Sequence, residues 1–164
     1  MNRVRQWWIA KILITSAYRA KKITGLPASI VASQAILETN WLKSIPEDTY
    51  NGTSNNLFGI KASCQPYVIC VTHEFIKGVK VEILAKFKKF KNYEESFISY
   101  GNLILGASRY KKAVAVKDDP RKYIREIWKA GYATDPNYPE KVLTIAENCG
   151  FIPKIEVKNS NYYT

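Results

Sequence analysis

The segment between Pro27 and Glu38 constrains the fold of this chain more than any other part. Apart from Gln34, its residues are small or apolar, and the run ends on a single carboxylate, that of Glu38. Pro27 suits the first turn of an α-helix. Spacing then places four residues on one face of this helix: Ile30, Gln34, Glu38 and Trp41. The sequence therefore predicts a largely buried helix that presents one acid near its C-terminal end, just before a long polar loop.

An acid among apolar neighbours is hard to ionise, and Glu38 stands in such surroundings. A glycosidase needs a carboxyl group of this kind to protonate the leaving oxygen of a glycosidic bond. A solvated glutamate at a helix end has the same sequence pattern, because perturbed carboxylates mark sites only statistically. The residues alone leave both interpretations open.

Length and hydropathy favour one globular domain. The chain has 164 residues, of which 46% are hydrophobic, and this is enough for a substantial core. No apolar stretch approaches the length of a membrane span. The N-terminus begins basic and turns apolar like a signal peptide, but Lys11 interrupts it and no clear cleavage site follows. We therefore interpret it as an amphipathic first helix and expect no clear signal peptide in this chain.

The net charge of +11 is unevenly distributed and favours a polyanionic partner. Residues 1–37 contain six Lys or Arg and no acid, and residues 77–91 contain six Lys against one Glu. Anionic wall polymers and the carboxylates of peptidoglycan stems both fit, as does a merely soluble Lys-rich surface. We expect no nucleic-acid partner, because no nucleic-acid-binding motif is present. A monomer is expected.

The three cysteines do not indicate a metal site. The chain has one His and no C-x-x-C pair, so we expect no structural zinc, no other metal and no cofactor. Cys64 and Cys70 are compatible with a disulfide across a tight hairpin, or with two buried free thiols.

Periodicity predicts a mostly α (α+β) chain with one β excursion after the second helix. Residues 67–72 and 79–85 are rich in β-branched residues and predict a small β-lobe within about 62–90, with a further strand piece or turn between them. Helices are predicted over the ranges 4–24, 28–40, 93–105, 106–117, 120–130 and 139–149. Residues 1–150 then form one domain, with 151–164 as a C-terminal tail.

Several separated motifs resemble, in the right order, the family-73 glycoside hydrolases, which include autolysin and flagellar-rod glucosaminidase domains. The matching segments are Gly25-Leu26-Pro27-Ala28-Ser29-Ile30 with Gln34-Ala35-Ile36-Leu37-Glu38, Asn55-Asn56-Leu57-Phe58-Gly59-Ile60-Lys61, Thr72-His73-Glu74-Phe75, Phe87-Lys88-Lys89-Phe90, Tyr93-Glu94-Glu95-Ser96-Phe97, and Gly131-Tyr132-Ala133-Thr134-Asp135-Pro136-Asn137-Tyr138 with Lys141-Val142. Each motif is weak alone, and the ordered set, which spans about residues 4–150, is specific. The resemblance implies a lysozyme-like α-lobe, a small inserted β-lobe and a catalytic groove between them.

The resemblance also implies the reaction and its residues. An endo-β-N-acetylglucosaminidase of this family cleaves the β-1,4 bond after N-acetylglucosamine in peptidoglycan glycan strands, at the cell wall outside the cytoplasm. Glu38 takes the position of the general acid, Glu74 that of a second carboxylate on the β-lobe, and Tyr132 that of a tyrosine near the sugar acetamido group. Hydrolysis needs a second group opposite the acid, to activate water or assist the acetamido nucleophile. From the residues alone, Glu74 is equally an exposed strand residue, and Glu82 is a substitute for it.

Further residues are candidates for substrate binding: Trp41, Asn55, Asn56, Phe58 and Tyr138. The asparagines could bond an N-acetyl group. Trp41 could stack on a sugar face or desolvate the acid, and Phe58 could pack under a sugar or belong to the core. Many relatives have Glu-Ser-Gly-Trp-Gly after the acid, where this chain has Glu38-Thr39-Asn40-Trp41-Leu42. Losing both glycines stiffens that turn and puts subsite specificity in doubt.

Other functions fit the same pattern. An N-acetylmuramidase would cut the alternate bond, and a lytic transglycosylase on the same fold would need one glutamate and leave anhydro sugar ends. A non-catalytic wall-binding module would leave the isolated Glu38 without a purpose.

Overall fold

In a computed structural model, the chain forms six α-helices and two small antiparallel sheets. These elements are counted over the residues that the structure describes, which are 2–48, 50, 52–76 and 79–154, with backbone alone at 74–76. The elements are α1 (Arg3–Thr24), α2 (Ala28–Glu38), β1 (Glu47–Asp48), β2 (Gly52–Thr53), β3 (Tyr67–Ile76), β4 (Val79–Lys88), α3 (Tyr93–Gly106), α4 (Lys111–Ala115), α5 (Pro120–Lys129) and α6 (Tyr138–Asn148). A 3₁₀ turn, Ser108–Tyr110, precedes α4. The helices form most of the core around the candidate active site, and the β3–β4 sheet is inserted in the chain between α2 and α3.

Helix α2 lies at the centre of the core. Every residue from Ala28 to Ile36 is buried, and the helix packs against α1, α5 and α6. Because small residues alternate with branched aliphatic ones, neighbouring helices approach it closely on all sides. The helix ends at Glu38, two residues earlier than predicted. Its last residue, Glu38, is therefore exposed to solvent at the edge of the core.

Helices α1 and α3 make the other close contact in the core. Gly101 lies against the side chain of Thr24, and a Cβ atom at Gly101 would collide with Thr24 Cγ2. The Thr24 hydroxyl donates to Ala20 O and accepts from the Leu26 N–H, so this side chain is held at the helix end. Glycine is therefore required for the spacing between α1 and α3.

The predicted β-lobe is one long hairpin in which β3 and β4 pair antiparallel from Tyr67↔Lys88 to Ile76↔Val79. Its base is tied to the preceding loop, because Ala62 N–H donates to Lys86 O and Lys88 N–H donates to Ile60 O, each at 2.9 Å. The polar segment predicted as loop contains the two-residue strands β1 and β2.

The cysteines are free, and Cys64 is exposed. Neither sequence alternative holds, since no disulfide joins Cys64 to Cys70 and neither thiol is buried, Cys64 being exposed and Cys70 partly buried. Of the expected tail, residues 151–154 follow α6 as bends and irregular chain, and residues 155–164 lie outside the described residues. No helix in the described part is both long and apolar enough to cross a membrane.

Candidate active site

Glu38 opens onto a groove of about 630 Å³, which we call the active-site groove. Its lining comes from three helices, the 3₁₀ turn and two loops: Leu37, Glu38, Phe58, Leu103, Arg109, Tyr110, Tyr132, Ala133, Thr134, Asp135, Tyr138 and Lys141. No residue of the β3–β4 hairpin whose side chain is described belongs to this lining. The groove thus has two carboxylates, those of Glu38 at the end of α2 and Asp135 before α6, and aromatic walls that include Tyr132 and Tyr138.

The Glu38 carboxylate is held by Tyr138. The Tyr138 hydroxyl donates a 2.7 Å hydrogen bond to Glu38 Oε1. Burial raises the pKa of Glu38 above its ordinary value, and the hydrogen bond from Tyr138 partly opposes this rise. The side chain is nonetheless exposed by its accessible surface, so solvent screening limits the size of the rise. Glu38 is therefore both reachable from the groove and biased toward its protonated form, which a general acid requires.

A buried chain of hydrogen bonds continues inward from Tyr138. Gln34 Nε2 donates to the Tyr138 hydroxyl at 3.1 Å, and the Tyr100 hydroxyl donates to Gln34 Oε1 at 2.9 Å. Gln34 is fully buried on α2, one helical turn before Glu38. The direction of the chain follows from the ionised acid: a carboxylate accepts, so Tyr138 must donate to it, and Gln34 must then donate to Tyr138. Glu38 is thus oriented from within the core.

Tyr132 lines the groove without a recorded hydrogen bond to Glu38. Its ring centroid lies 5.7 Å from that of Tyr138 and 5.9 Å from that of Tyr100. Burial, and next the negative charge of Glu38, raise the pKa of the Tyr132 phenol well above its ordinary value. The hydroxyl therefore remains protonated and able to donate to a group that enters the groove.

Phe58 and Asp135 complete the walls. Phe58 stacks on Tyr100 at 4.2 Å between ring centroids, so it belongs to the core and to the groove surface at once. Asp135 Oδ1 accepts from the Asn137 N–H at 2.9 Å and Oδ2 from Lys141 Nζ at 2.6 Å. The hydrogen bond from Lys141 is the main reason that the pKa of Asp135 lies below its ordinary value. Asp135 thus remains ionised and shapes the turn before α6.

Asn55 and Asn56, the candidates for bonding an N-acetyl group, are not among the residues that line the active-site groove. Asn56 is buried, and its amide donates to Ile60 O and Lys88 O and accepts from the Phe58 and Ile60 N–H groups. The Asn55 amide donates to the carbonyls of Phe90 and Lys91. Both amides are therefore engaged by the backbone, and their function is to fix the loop that carries Phe58.

Trp41 also departs from the predicted arrangement. It does not share a helical face with Glu38, because α2 has already ended and residues 40–42 turn with positive φ. Trp41 instead lines a second cavity, away from the active-site groove lining. Glu74 lies in β3 opposite Val81, and its side chain is outside the described part of the structure.

Sequence reasoning missed Tyr100, Tyr110 and Arg109. Gln34 was placed on the Glu38 face by its spacing, and its role as a hydrogen-bonding residue of the site could have been recognised from that position, four residues before Glu38. Tyr100 carries no such local signal, since it reaches the site through the packing of α3. No group of three or more His, Cys, Asp or Glu positioned for a metal exists among the described residues.

Fold and site together define a glycoside hydrolase domain of lysozyme-like architecture. A family profile described as mannosyl-glycoprotein endo-beta-N-acetylglucosaminidase matches residues 14–150, and the chain belongs to this glucosaminidase family. The resemblance noted from the motifs and the expected fold class are both confirmed.

Three relatives illustrate the similarity. The chain is 36% identical over 137 residues to peptidoglycan hydrolase FlgJ of Pseudomonas aeruginosa, covering 82% of this chain and 34% of FlgJ. It is 32% identical over 124 residues to exo-glucosaminidase LytG of Bacillus subtilis, covering 73% of this chain and 43% of LytG. The solved glycoside hydrolase domain of Salmonella typhimurium FlgJ superposes with a TM-score of 0.75 at 27% identity, covering 92% of this chain and 90% of that domain. The chain thus spans less than half the length of either full-length relative.

Proposed function

We propose that this chain is a peptidoglycan hydrolase that cleaves the β-1,4 bond after N-acetylglucosamine by general acid catalysis. The observation that carries the proposal is the Glu38 carboxyl, which opens onto the groove, has a pKa raised by burial and accepts a hydrogen bond from Tyr138. The names of relatives support the substrate, since FlgJ is a peptidoglycan hydrolase and LytG an exo-glucosaminidase. The site of action is then the cell wall, on its periplasmic or extracellular face.

Glu38 acts as the acid through the oxygen that Tyr138 leaves free. With Tyr138 donating to Oε1, the transferable proton belongs on Oε2. This proton passes to the glycosidic oxygen as the bond to the anomeric carbon breaks, which leaves Glu38 as a carboxylate. Acid catalysis of this kind contributes about 10²–10⁴-fold to the rate. The Tyr138 hydrogen bond then stabilises the carboxylate that forms.

Glu74 is the proposed second carboxylate. Glu74 lies on the hairpin, opposite Val81 in the register of β3 and β4. We infer that it approaches the anomeric carbon when substrate draws the hairpin toward the groove, where it activates water or assists the acetamido group. Tyr132, whose phenol stays protonated, is placed to donate to the sugar acetamido oxygen. Phe58 and Tyr138 form the apolar wall beside it.

The basic surface supports a supplementary attraction to anionic wall polymers. With a net charge of +11, the chain should bind a polyanionic wall more weakly as salt rises. Cosedimentation with walls at two salt concentrations tests this, and binding indifferent to salt would exclude it. We also propose that the chain is a monomer in solution, and sedimentation velocity tests this.

The decisive experiment is mass spectrometry of reduced muropeptides after digestion of purified peptidoglycan. New reducing N-acetylglucosamine ends, lost in both Glu38→Gln and Glu74→Gln, are the expected result. Reducing muramic acid ends would identify a muramidase, and anhydro ends a lytic transglycosylase. Asp118→Asn, outside the groove lining, is the matched control for loss of one carboxylate.

A further inference from the structure

The turn after Glu38 has an unusual backbone. Asn40, Trp41 and Leu42 have φ values of 46°, 61° and 60°, so three consecutive non-glycine residues lie in the left-handed region. L-residues other than glycine disfavour this region, because Cβ there crowds the following carbonyl oxygen. The turn is held by the Trp41 N–H, which donates to Ile36 O at 2.9 Å, and by the Leu42 N–H, which donates to Thr39 Oγ1 at 3.0 Å. Strain of this kind persists where the surroundings fix it, and it concentrates at functional sites.

This turn carries Trp41 into a second cavity of about 690 Å³, comparable in size with the active-site groove. We call it the Trp7–Trp41 cavity. Its polar and aromatic lining residues come from α1, α6, the turn and the segment after α6: Arg3, Gln6, Trp7, Trp41, Asn148 and Lys154. Trp7 is 55% exposed, which is high for a tryptophan. Its ring meets Trp8 edge-on at 4.9 Å and Lys11 Nζ lies 4.9 Å from its centroid, and the rest of the exposed indole surface is available to a ligand.

The three types of side chain in this lining recognise one kind of molecule. Indole rings offer flat apolar faces for the C–H face of a pyranose ring, with an N–H at the edge. The amides of Gln6 and Asn148 can donate to and accept from hydroxyl and acetamido groups. The guanidinium of Arg3 and the ammonium of Lys154 form charge-assisted hydrogen bonds with carboxylates. None of the described residues that line the cavity is acidic.

We propose that the Trp7–Trp41 cavity is a second, non-catalytic binding site for peptidoglycan, in which the indoles stack on N-acetylated sugars and Arg3 and Lys154 pair with carboxylates of the peptide stems. The choice of substrate rests on the proposed function. Charge complementarity commits the cavity to this occupant, because a neutral glycan would leave two cations without a partner.

The position of the cavity gives the site a purpose. Glu38 and Trp41 are three residues apart, so their Cα atoms lie within about 11 Å. Wall material held in the cavity therefore keeps neighbouring glycan at high local concentration beside the active-site groove. Asn40 and Leu42, which flank Trp41, are not glycines, so the turn that aims Trp41 is stiffer than a glycine turn would be.

Binding is tested in the full chain with Glu38→Gln present, so that no cleavage alters the substrate. Cosedimentation with purified sacculi is compared for Trp7→Ala and Trp8→Ala. Trp8 is the matched control, since it is the next residue, is 53% exposed and does not line the cavity. We expect Trp7→Ala to raise the apparent dissociation constant at least fivefold, Trp8→Ala to change it by less than twofold, and Trp7→Tyr to retain most of the binding.

The cations are tested by a charge-matched pair of double variants. Arg3→Gln with Lys154→Gln removes two charges from the cavity, and Arg5→Gln with Lys22→Gln removes two from exposed positions elsewhere on α1. The cavity pair should weaken binding to sacculi with intact stems at least fivefold more than the α1 pair. On glycan strands stripped of their peptide stems, this difference should disappear.

Equal losses for Trp7→Ala and Trp8→Ala, or for the two charge pairs, would overturn the proposal. Wall binding would then depend on the general basic and aromatic character of the surface and not on the Trp7–Trp41 cavity. Binding to phosphatidylglycerol vesicles that falls equally in both tryptophan variants, with sacculus binding unchanged, would identify a lipid surface and also overturn it. Failure of the proposed function is distinguishable, since it would appear as missing N-acetylglucosamine ends in the active chain, a result independent of binding by the Glu38→Gln protein.

Discussion

The Tyr138 hydroxyl and the Glu38 carboxylate lie 2.7 Å apart although they are 100 positions apart in the chain. This short bond joins the start of α6 to the end of α2, and it opposes the effect of burial on the pKa of the acid. The pKa of Glu38 therefore depends on two long-range features of the fold, its burial and the hydrogen bond that Tyr138 donates.

Replacing Tyr138 with Phe should move the alkaline limb of the pH–rate profile to higher pH. The substitution removes the hydrogen bond that lowers the pKa of Glu38 and leaves burial, which raises it. Since the acid works when protonated, activity then persists to higher pH, while the maximal rate falls about tenfold because the carboxylate formed is less stabilised. Turnover of solubilised glycan strands over a pH series measures this. Tyr18→Phe, exposed on α1, is the control. A limb that moves to lower pH would contradict the assignment.

Gln34 should act as a positioning residue. Gln34→Met keeps a similar volume but removes the amide that donates to Tyr138 and accepts from Tyr100. Two buried hydroxyls then lose a partner, and the free energy of unfolding should fall by about 2 kcal/mol. With Tyr138 free to turn away from Glu38, kcat should fall several-fold at an unchanged KM, and the alkaline limb should shift in the same direction as in Tyr138→Phe. Urea unfolding and the pH profile together measure this, because loss of stability alone would leave the limb in place.

Glu38→Gln should make the protein more stable than the unaltered chain at neutral pH. Burial raises the folded-state pKa of Glu38 above that of the unfolded chain, so the folded state holds this proton more tightly. The associated stability is present below the unfolded pKa of about 4.3 and is lost as pH rises through the folded pKa. The neutral amide does not suffer this loss. The gain in Tm is expected to be on the order of 1 °C, because Glu38 is solvent-accessible.

Thermal unfolding at a series of pH values from about 4 to neutral tests the sign. The difference in Tm between Glu38→Gln and the unaltered chain should grow with pH. A difference that shrinks would mean that the hydrogen bond from Tyr138 outweighs burial.

Local periodicity was sufficient to predict five of the six helices and the hairpin. The range 106–117, predicted as one helix, is instead the end of α3, the 3₁₀ turn and the five-residue α4. The run that ends at Glu38 is buried as its composition predicts, and Pro120 and Tyr93 begin helices near the expected positions. These features depend on short-range patterns of apolar residues, prolines and caps. The same pattern predicted an acid at the C-terminal end of this helix, whereas the catalytic role of Glu38 rested on the family resemblance, because a solvated glutamate at a helix end has the same sequence pattern.

The details of the site depended on long-range packing and could not be predicted in the same way. The position of Trp41 follows from three left-handed residues, which no periodicity rule anticipates for Asn40 and Leu42. Asn56 is of a residue type that often binds ligands, yet its amide donates to backbone carbonyls of β4 and of its own loop. The contact of Tyr138 with Glu38 required α6 to cross α2.

Gly101→Ala should destabilise the fold although alanine favours helices. An added Cβ at Gly101 meets the Thr24 side chain, which its hydrogen bonds to Ala20 O and the Leu26 N–H hold in place. Overpacking of this kind costs about 1–3 kcal/mol, which exceeds the gain of about 0.5–1 kcal/mol from replacing a helical glycine. Gly106→Ala in the same helix is the matched control, because nothing lies within 4 Å of an added Cβ there. Urea unfolding should show a loss of stability for Gly101→Ala and no loss for Gly106→Ala. Equal effects would mean that α1 and α3 separate without cost, and that the contact between Gly101 and Thr24 does not set their spacing.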